Sequence, residues 1–591
     1  MKRNVTNTIL LSTTNAKFAA VKKYNSMRIT FLFILILSIS GVSGQNLYYG
    51  MPLRNKLVPV KGFAEIDKNG FHPGVDFATL GKTEMPVMAV ADGYISRVVI
   101  SSEGLGKALF IAHDNGTTSV YGQLSQLRPD IENYVRRVLY ENKSFETDTR
   151  VGPETFLIEK GDIIALSGTA QESTEPHLHF EIRNSGTGDL LNPQLFGFEI
   201  KDTIAPEIKA LQVTPLSAGS HVNFGTGKVI FDTELNSGNY KLKNNPLIQL
   251  YGETGFAIEV DDYADVSGNR GSIAEIQLLI EDEVVSVFNG NRFSINEIPA
   301  INGWIDFEER QQSMRNFRKT WKPACNALSN FEFSENRGIF DVALNKDYNV
   351  KIIVKDAAEN IAVLEFIVTG KYREIKAEET DATAIFTCNK VNQFATDDFQ
   401  IKISENCLFE NLHFKYTTKN RKDGFLSDSH QINNVASLKS PAIISIKCND
   451  IQPENQDKLL IVKEDERTGE FISLGGEFDN GWVSTKINTF GNFVVKNDTS
   501  APVIESLSIS DNRLIETDKL RFNISDDLSG IGTIEGLLDG EWVLFEYNKY
   551  SNQIVHTFDT RRFDFTKTHQ IKLTLIDKCG NQSVYETTFG K

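Results

Sequence analysis

Hydrophobic and polar residues alternate over short stretches through residues 45–200, and Gly, Asn or Asp closes each stretch. AVADGYISRVVI (89–100), ALFIAHDNG (108–116), TTSVYGQL (117–124), IIALSG (163–168) and HLHFEIR (177–183) all read as strands of this kind. Residues 128–159 break the rhythm. They predict an insertion with some helix, placed where it could rim a groove.

At Asp202 the pattern changes. DTIAPEIKAL (202–211) returns as DTSAPVIESL (498–507), and VKDAAENIA (354–362) is echoed by LIDKCGNQS (575–583). DDYADVSGNRGSIAEIQLLIEDE (261–283) resembles DDLSGIGTIEGLLDGE (526–541). One module type used twice is the reading. Each copy opens on an Ala-Pro linker and closes on strand, Asp-x-x-x-Asn, strand, the pattern of an immunoglobulin-like sandwich. The first copy is the longer, through an insertion near 285–345. Residues 371–497 are also strand-rich and predict a further β domain. The expected division is a leader at 1–44, a first domain at 45–200, a sandwich at 202–370, a β-rich domain at 371–497 and a sandwich at 498–591.

The leader rests on Arg28 to Gly44, where a basic start precedes the apolar run Phe31–Leu37 and small residues follow. That is the three-part pattern of a secretory signal peptide, with Met27 the expected start and Gln45 near the mature end. The run is far shorter than the roughly 18 residues that span a bilayer. The expected protein is exported to the periplasm or cell envelope, and is not an integral membrane protein once the leader is removed.

Composition narrows this further. Hydrophobic residues are 40% and charged residues 24% of 591, a globular mix that excludes a disordered, collagenous or multi-span membrane chain. Residues 1–44 hold six basic residues and no acid, so their removal moves the net charge from −16 to −22. So acidic a body repels phosphate backbones, which argues against nucleic acid as a partner. Five cysteines, without metal-site spacing, make no disulfide framework.

Chemistry enters with PHLHFEIR (176–183). Side chains alternate faces in a strand, so His177, His179, Glu181 and Arg183 share one face while Leu178, Phe180 and Ile182 share the apolar one. Two imidazoles two residues apart can reach a single site. In GFHPGVDFA (70–78) His72 and Asp76 flank Pro-Gly, and a turn there can bring both to one ion. Zinc favours imidazole nitrogen with carboxylate oxygen, and three protein ligands leave one position open, as in a catalytic site.

GFHPGVDFA, MPVMAVADGYI, FIAHDNGTTSVYGQL, KGDIIALSGT and PHLHFEIR follow one another in the order found in the lysostaphin/LytM-type zinc peptidases, which residues 65–195 resemble. The resemblance implies a small antiparallel β peptidase domain with a groove; with the β-sandwich (Ig-like) domains read from the repeats after it, the expected chain is mainly all-β. It implies cleavage of peptide cross-links in bacterial peptidoglycan, with Zn2+ held by His72, Asp76 and His179 and with His177 as a catalytic histidine. One position departs: the family's Tyr-x-His-Leu is Tyr121-Gly122-Gln123-Leu124 here. Gln123 can donate a hydrogen bond but cannot move a proton, and general acid–base help is worth about 10²–10⁴-fold. An exported zinc endopeptidase on peptidoglycan is therefore the first expectation. A weakly catalytic or non-catalytic envelope regulator of the same fold is the second, and an adhesive surface protein with a vestigial peptidase the third. The sandwich tail could engage an envelope protein.

Other signals are weaker. His113 reads as a groove-lining residue. Asp261, Asp262, Asp265 and Asn269 have a density that suits calcium but lack EF-hand spacing, and read as a solvated acidic turn. Cys388, Cys407 and Cys448 predict one disulfide within the 371–497 domain.

Overall fold

The computed structural model describes residues 48–591 except 68–69, 170–175, 199, 266–270, 376–380, 449–451, 466–467, 511–512, 515–517, 559–562, 565 and 591. The leader, with Met27 and the expected mature end at Gln45, lies outside the described residues, as does Asn269. No helix among the described residues is long and apolar enough to cross a membrane.

The first part of the chain is built from strands β1 (Pro59–Lys61), β2 (Ile66–Asp67), β3 (Gly70–Phe71), β4 (Val75–Ala78), β5 (Pro86–Met88), β6 (Gly93–Ile100), β7 (Lys107–Ala112), β8 (Thr117–Gly122) and β9 (Leu124–Leu127). Helix α1 (Pro129–Asn142) follows, then β10 (Thr147–Arg150), β11 (Leu157–Ile158), β12 (Ile163–Thr169), β13 (Pro176–Asn184) and β14 (Leu190–Leu191). The main sheet runs β1-β4-β13-β8-β7-β6-β10, with antiparallel neighbours throughout. β13 lies inside it, between β4 and β8. Its Leu178, Phe180 and Ile182 are fully buried, with Phe180 against Phe77, Tyr121 and Phe198. The opposite, polar face is buried too at His177, His179 and Glu181. The His-Pro-Gly turn covers it: a Cβ at Gly74 would lie 2.4 Å from the Phe180 carbonyl oxygen and 2.8 Å from Glu181 Cγ, so only glycine fits.

The interruption at 128–159 resolves into α1 and β10. Pro129 opens the helix, Asp130 and Glu132 lie in its positive first turn, and Ile131, Val135 and Leu139 bury one face at four-residue spacing. β10 then extends the sheet beside β6.

The tail is a series of packed sheets. In the first sandwich Glu207–Pro215 and Ile248–Asp261 pair along their length, and Ile273–Ile280, Asp347–Asp356 and Ile361–Gly370 form a second layer. Tyr348, Val350, Ile352 and Val354 alternate into the core between them. Residues 383–498 hold two five-stranded sheets, one around Ser437–Lys447 and one around Asn492–Asn497. The last sandwich pairs two four-stranded sheets, around Lys519–Ser525 and His569–Asp577.

The segment 285–345 is an interface. Its strand Arg292–Phe293 pairs with β14, Arg292 bonds Asp189, and Phe293 packs on Phe63 and Phe71. Beside it Gly62 meets Gly271 so closely that a Cβ on Gly62 would lie 2.5 Å from the Gly271 carbonyl oxygen. Cys325 from this segment forms a disulfide with Cys388, while Cys407 and Cys448 are free and buried. The expected pairing inside 371–497 is thus corrected: the bond ties the 285–345 segment to residues beyond 371, because that segment carries Cys325 to within a Cα separation of 6.1 Å of Cys388. The last sandwich returns to the first domain. Trp542 packs edge-on to Tyr140 of α1, Tyr547 faces Phe145, and Glu546 and Lys549 pair with Lys107 and Glu103.

Candidate metal centre

β13 sets the site by register. His179 lies directly opposite Asp76 of β4 on one side and Gly122 of β8 on the other. His72 follows β3, and its backbone N–H and carbonyl are tied to Glu65 and Ala64. His72 Nε2, Asp76 Oδ1 and His179 Nδ1 then converge at 3.1, 3.2 and 2.7 Å from one another. All three residues are buried. His177, the fourth expected residue, brings Nε2 to 3.6 Å from Asp76 Oδ2.

The outward nitrogens are occupied. His72 Nδ1 lies 2.7 Å from the Gly62 carbonyl oxygen, to which it donates. His179 Nε2 lies 3.0 Å from Glu181 Oε1, whose second oxygen accepts from Arg183 Nε at 2.5 Å. These outer acceptors hold a proton on the far nitrogen of each imidazole, so that once the shared inner proton is lost the nitrogen facing the centre is free to ligate, as outer partners of metal-bound histidines arrange. Four bonds of about 2.0–2.1 Å in tetrahedral array would set ligand atoms roughly 3.3 Å apart. The observed trio is a few tenths of an ångström tighter, so a donor set of two imidazoles and a carboxylate fits zinc with a small outward movement.

Electrostatics agree with the geometry. Burial works to raise the Asp76 pKa, yet His72 and His179 hold it well below the usual carboxylate range. Burial lowers that of His72 despite Asp76 nearby. Burial also opposes charge on His179, but its hydrogen bonds to Asp76 and Glu181 outweigh this and raise its pKa to about 9. Two imidazoles and a carboxylate compete here for one proton, which a cation would displace.

Gln123 stands directly after the glycine opposite His179, at φ +58°. Its amide nitrogen donates to the Gly104 carbonyl at 2.7 Å, and its backbone bonds Leu105 and Gly168. The structure holds His113 by both ring nitrogens away from the His72, Asp76 and His179 trio: its ring is buried, with Nδ1 2.7 Å from the Asp92 carbonyl oxygen and Nε2 2.8 Å from Ser119 Oγ, in a network that continues to Tyr121. Sequence reasoning gave Glu181 no role. Its two-residue spacing from His179 was the available signal, whereas nothing local marks Gly62.

The profile of peptidase family M23 matches residues 70–138, and that of a Zu5-like domain matches 383–498. An uncharacterized metalloprotease of Haemophilus influenzae is 32% identical over 115 residues, 20% of this chain and 19% of that protein. A DD-carboxypeptidase/endopeptidase Mpg of Neisseria meningitidis is 30% identical over 115 residues, 20% of each chain. The chain thus spans about a fifth of the length of these curated relatives. Among solved structures, the catalytic domain of lysostaphin from Staphylococcus simulans is 25% identical with a TM-score of 0.17, covering 24% of this chain and 88% of that one. The chain carries a peptidase family M23 domain within a mainly β architecture.

Proposed function

We propose that this protein is an exported zinc endopeptidase that hydrolyses peptide cross-links of bacterial peptidoglycan in the periplasm or cell envelope, with the sandwich tail positioning it. The observation that carries the reading is the convergence of His72 Nε2, Asp76 Oδ1 and His179 Nδ1, each imidazole held from behind by Gly62 or Glu181. The names of the curated relatives, a metalloprotease and a DD-carboxypeptidase/endopeptidase, support the same class. His72, Asp76 and His179 would hold the ion; bound there, it would lower the pKa of water and polarise a carbonyl.

The chain's own groups do the rest. His177 lies on the same face of β13 as His179, next to the Asp76 carboxylate, and is the group to take or give a proton at Nε2. Gln123 can donate only a neutral hydrogen bond. Its hold on Gly104 favours a second reading, a feebly catalytic envelope regulator of the same fold.

The test is release of soluble fragments from sacculi by the zinc-loaded full chain. His179→Ala should abolish it, His177→Ala should lower it about 10²–10⁴-fold, and Gln123→His should raise it. Parent and His179→Ala proteins that are equally inert would refute the hydrolase reading and leave the regulator.

A further inference from the structure

The two sandwiches repeat more than their strands. In the first, one carboxylate oxygen each from Asp202, Asp262 and Asp356 lies within 4.8 Å of the others; in the last, Asp498, Asp526 and Asp577 do the same. The positions correspond. Asp202 and Asp498 each stand five residues before the opening strand of their sandwich, Glu207–Pro215 and Val503–Ser506. Asp262 and Asp526 each follow the last residue of a strand, Ile248–Asp261 and Lys519–Ser525. Asp356 and Asp577 each end one, Asp347–Asp356 and His569–Asp577. The asparagine four residues on is shared as well. Asn360 bonds both oxygens of Asp356 and the Asp202 carbonyl, and Asn581 bonds both oxygens of Asp577 and the Asp498 carbonyl.

The acidic turn at 261–265 therefore separates into unlike members. Asp261 pairs with Lys209, and Asp265 with Lys201 and Thr203. Asp262 is buried at 2% exposure; neither carboxylate oxygen has a partner at ordinary hydrogen-bond geometry, and the groups that ease its charge are the backbone N–H of Tyr263 and Ser272. In the last sandwich Oδ1 of Asp526 is likewise buried without a partner. Among the described residues no lysine, arginine or histidine forms an ion pair with any of the six aspartates. Unpaired buried carboxylates facing two like charges are costly unless a cation joins them.

We propose that each sandwich binds one calcium-class divalent cation at its aspartate triad, and that the ion fastens the incoming interdomain segment to the sandwich. The donors are all hard oxygens, which calcium takes and zinc does not prefer. Calcium–oxygen bonds of roughly 2.3–2.6 Å put opposite ligand atoms about 5 Å apart, so oxygens within 4.8 Å of one another can share one ion, and calcium accepts irregular geometry where magnesium demands a near-ideal octahedron. Asp202 lies on the segment joining the first domain to the first sandwich, and Asp498 on the one entering the last, so each ion ties a junction.

The experiment is equilibrium dialysis of calcium against the zinc-loaded full chain, paired with thermal melting. Two calcium ions per chain are expected, one in Asp262→Asn or Asp526→Asn, and none in the double variant. A dissociation constant of about 10⁻⁴ M would shift folding by about elevenfold per site at 1 mM calcium. In calcium-stripped buffer the asparagine variants should melt no lower than the parent, because the amide removes a buried charge; this separates loss of the ion from loss of the fold. Fewer than two ions in the parent, asparagine variants that keep both, or variants that melt lower without calcium would overturn the proposal.

Discussion

Glu181→Gln tests whether the metal centre is held from behind. The carboxylate is fully buried and accepts from two donors, His179 Nε2 at 3.0 Å and Arg183 Nε at 2.5 Å. Glutamine keeps the length but offers one oxygen and one NH2, so it must present a donor to one of two donors. Whichever way the amide turns, the carboxylate charge behind His179 Nε2 is removed, while Arg183 still has some solvent and the face of Phe110, 5.4 Å away. Hydrogen bonds to charged groups are worth about 1.5–3 kcal/mol, so the fold should lose about 2 kcal/mol. Loss of an outer partner of a metal-bound histidine lowers affinity about 10–100-fold, or about 1.4–2.8 kcal/mol. Zinc competition against a chromophoric chelator measures the second quantity, and calorimetric melting of the metal-free protein the first. Zinc affinity within twofold of the parent, alongside the expected fall in melting temperature, would show that Glu181 supports the strand and not the imidazole, refuting the argument.

Two more expectations follow from the same contacts. With no metal bound, His179 keeps a proton up to about pH 9, so the pair stabilises the fold fully below pH 6.5 and ceases to as pH rises through 9. Zinc binding at pH 7.5 should accordingly release about one proton, read from titrations in buffers of different ionisation heat, and little at pH 10; no release at pH 7.5 would contradict the assignment. Gly62→Ala forces a Cβ to 2.5 Å from the Gly271 carbonyl, so the backbone whose oxygen holds His72 must shift. A loss of about 1–3 kcal/mol in stability with weaker zinc binding is expected from melting and chelator competition, and neither changing would show that the contact is slack.

The alternation of PHLHFEIR made the shared face of His177, His179 and Glu181 legible, because strand period is a local property. The opposition of Asp76 to His179 was not legible in spacing, since pairing partners more than a hundred residues apart are set by the whole sheet. The family resemblance supplied what geometry could not. Burial of the polar face depends on the Gly74 turn, and His113 is indistinguishable in sequence from a site histidine until its Asp92 and Ser119 partners are seen. The aspartate triads stayed hidden for a related reason. Aligning the paired aspartates 261–262 with 526–527 is one residue out of step, and only strand ends show that Asp262 answers to Asp526.

The pairing of β14 with Arg292–Phe293 has a consequence for anyone who would cut this protein apart. A boundary drawn at residue 200 leaves a raw β edge, bares the aromatic patch of Phe63 and Phe71, and strands Asp189 without its arginine. The first domain is stitched to its neighbour rather than strung before it, so grafting it onto foreign tails should yield aggregates where the seam at 292–293 is not carried along.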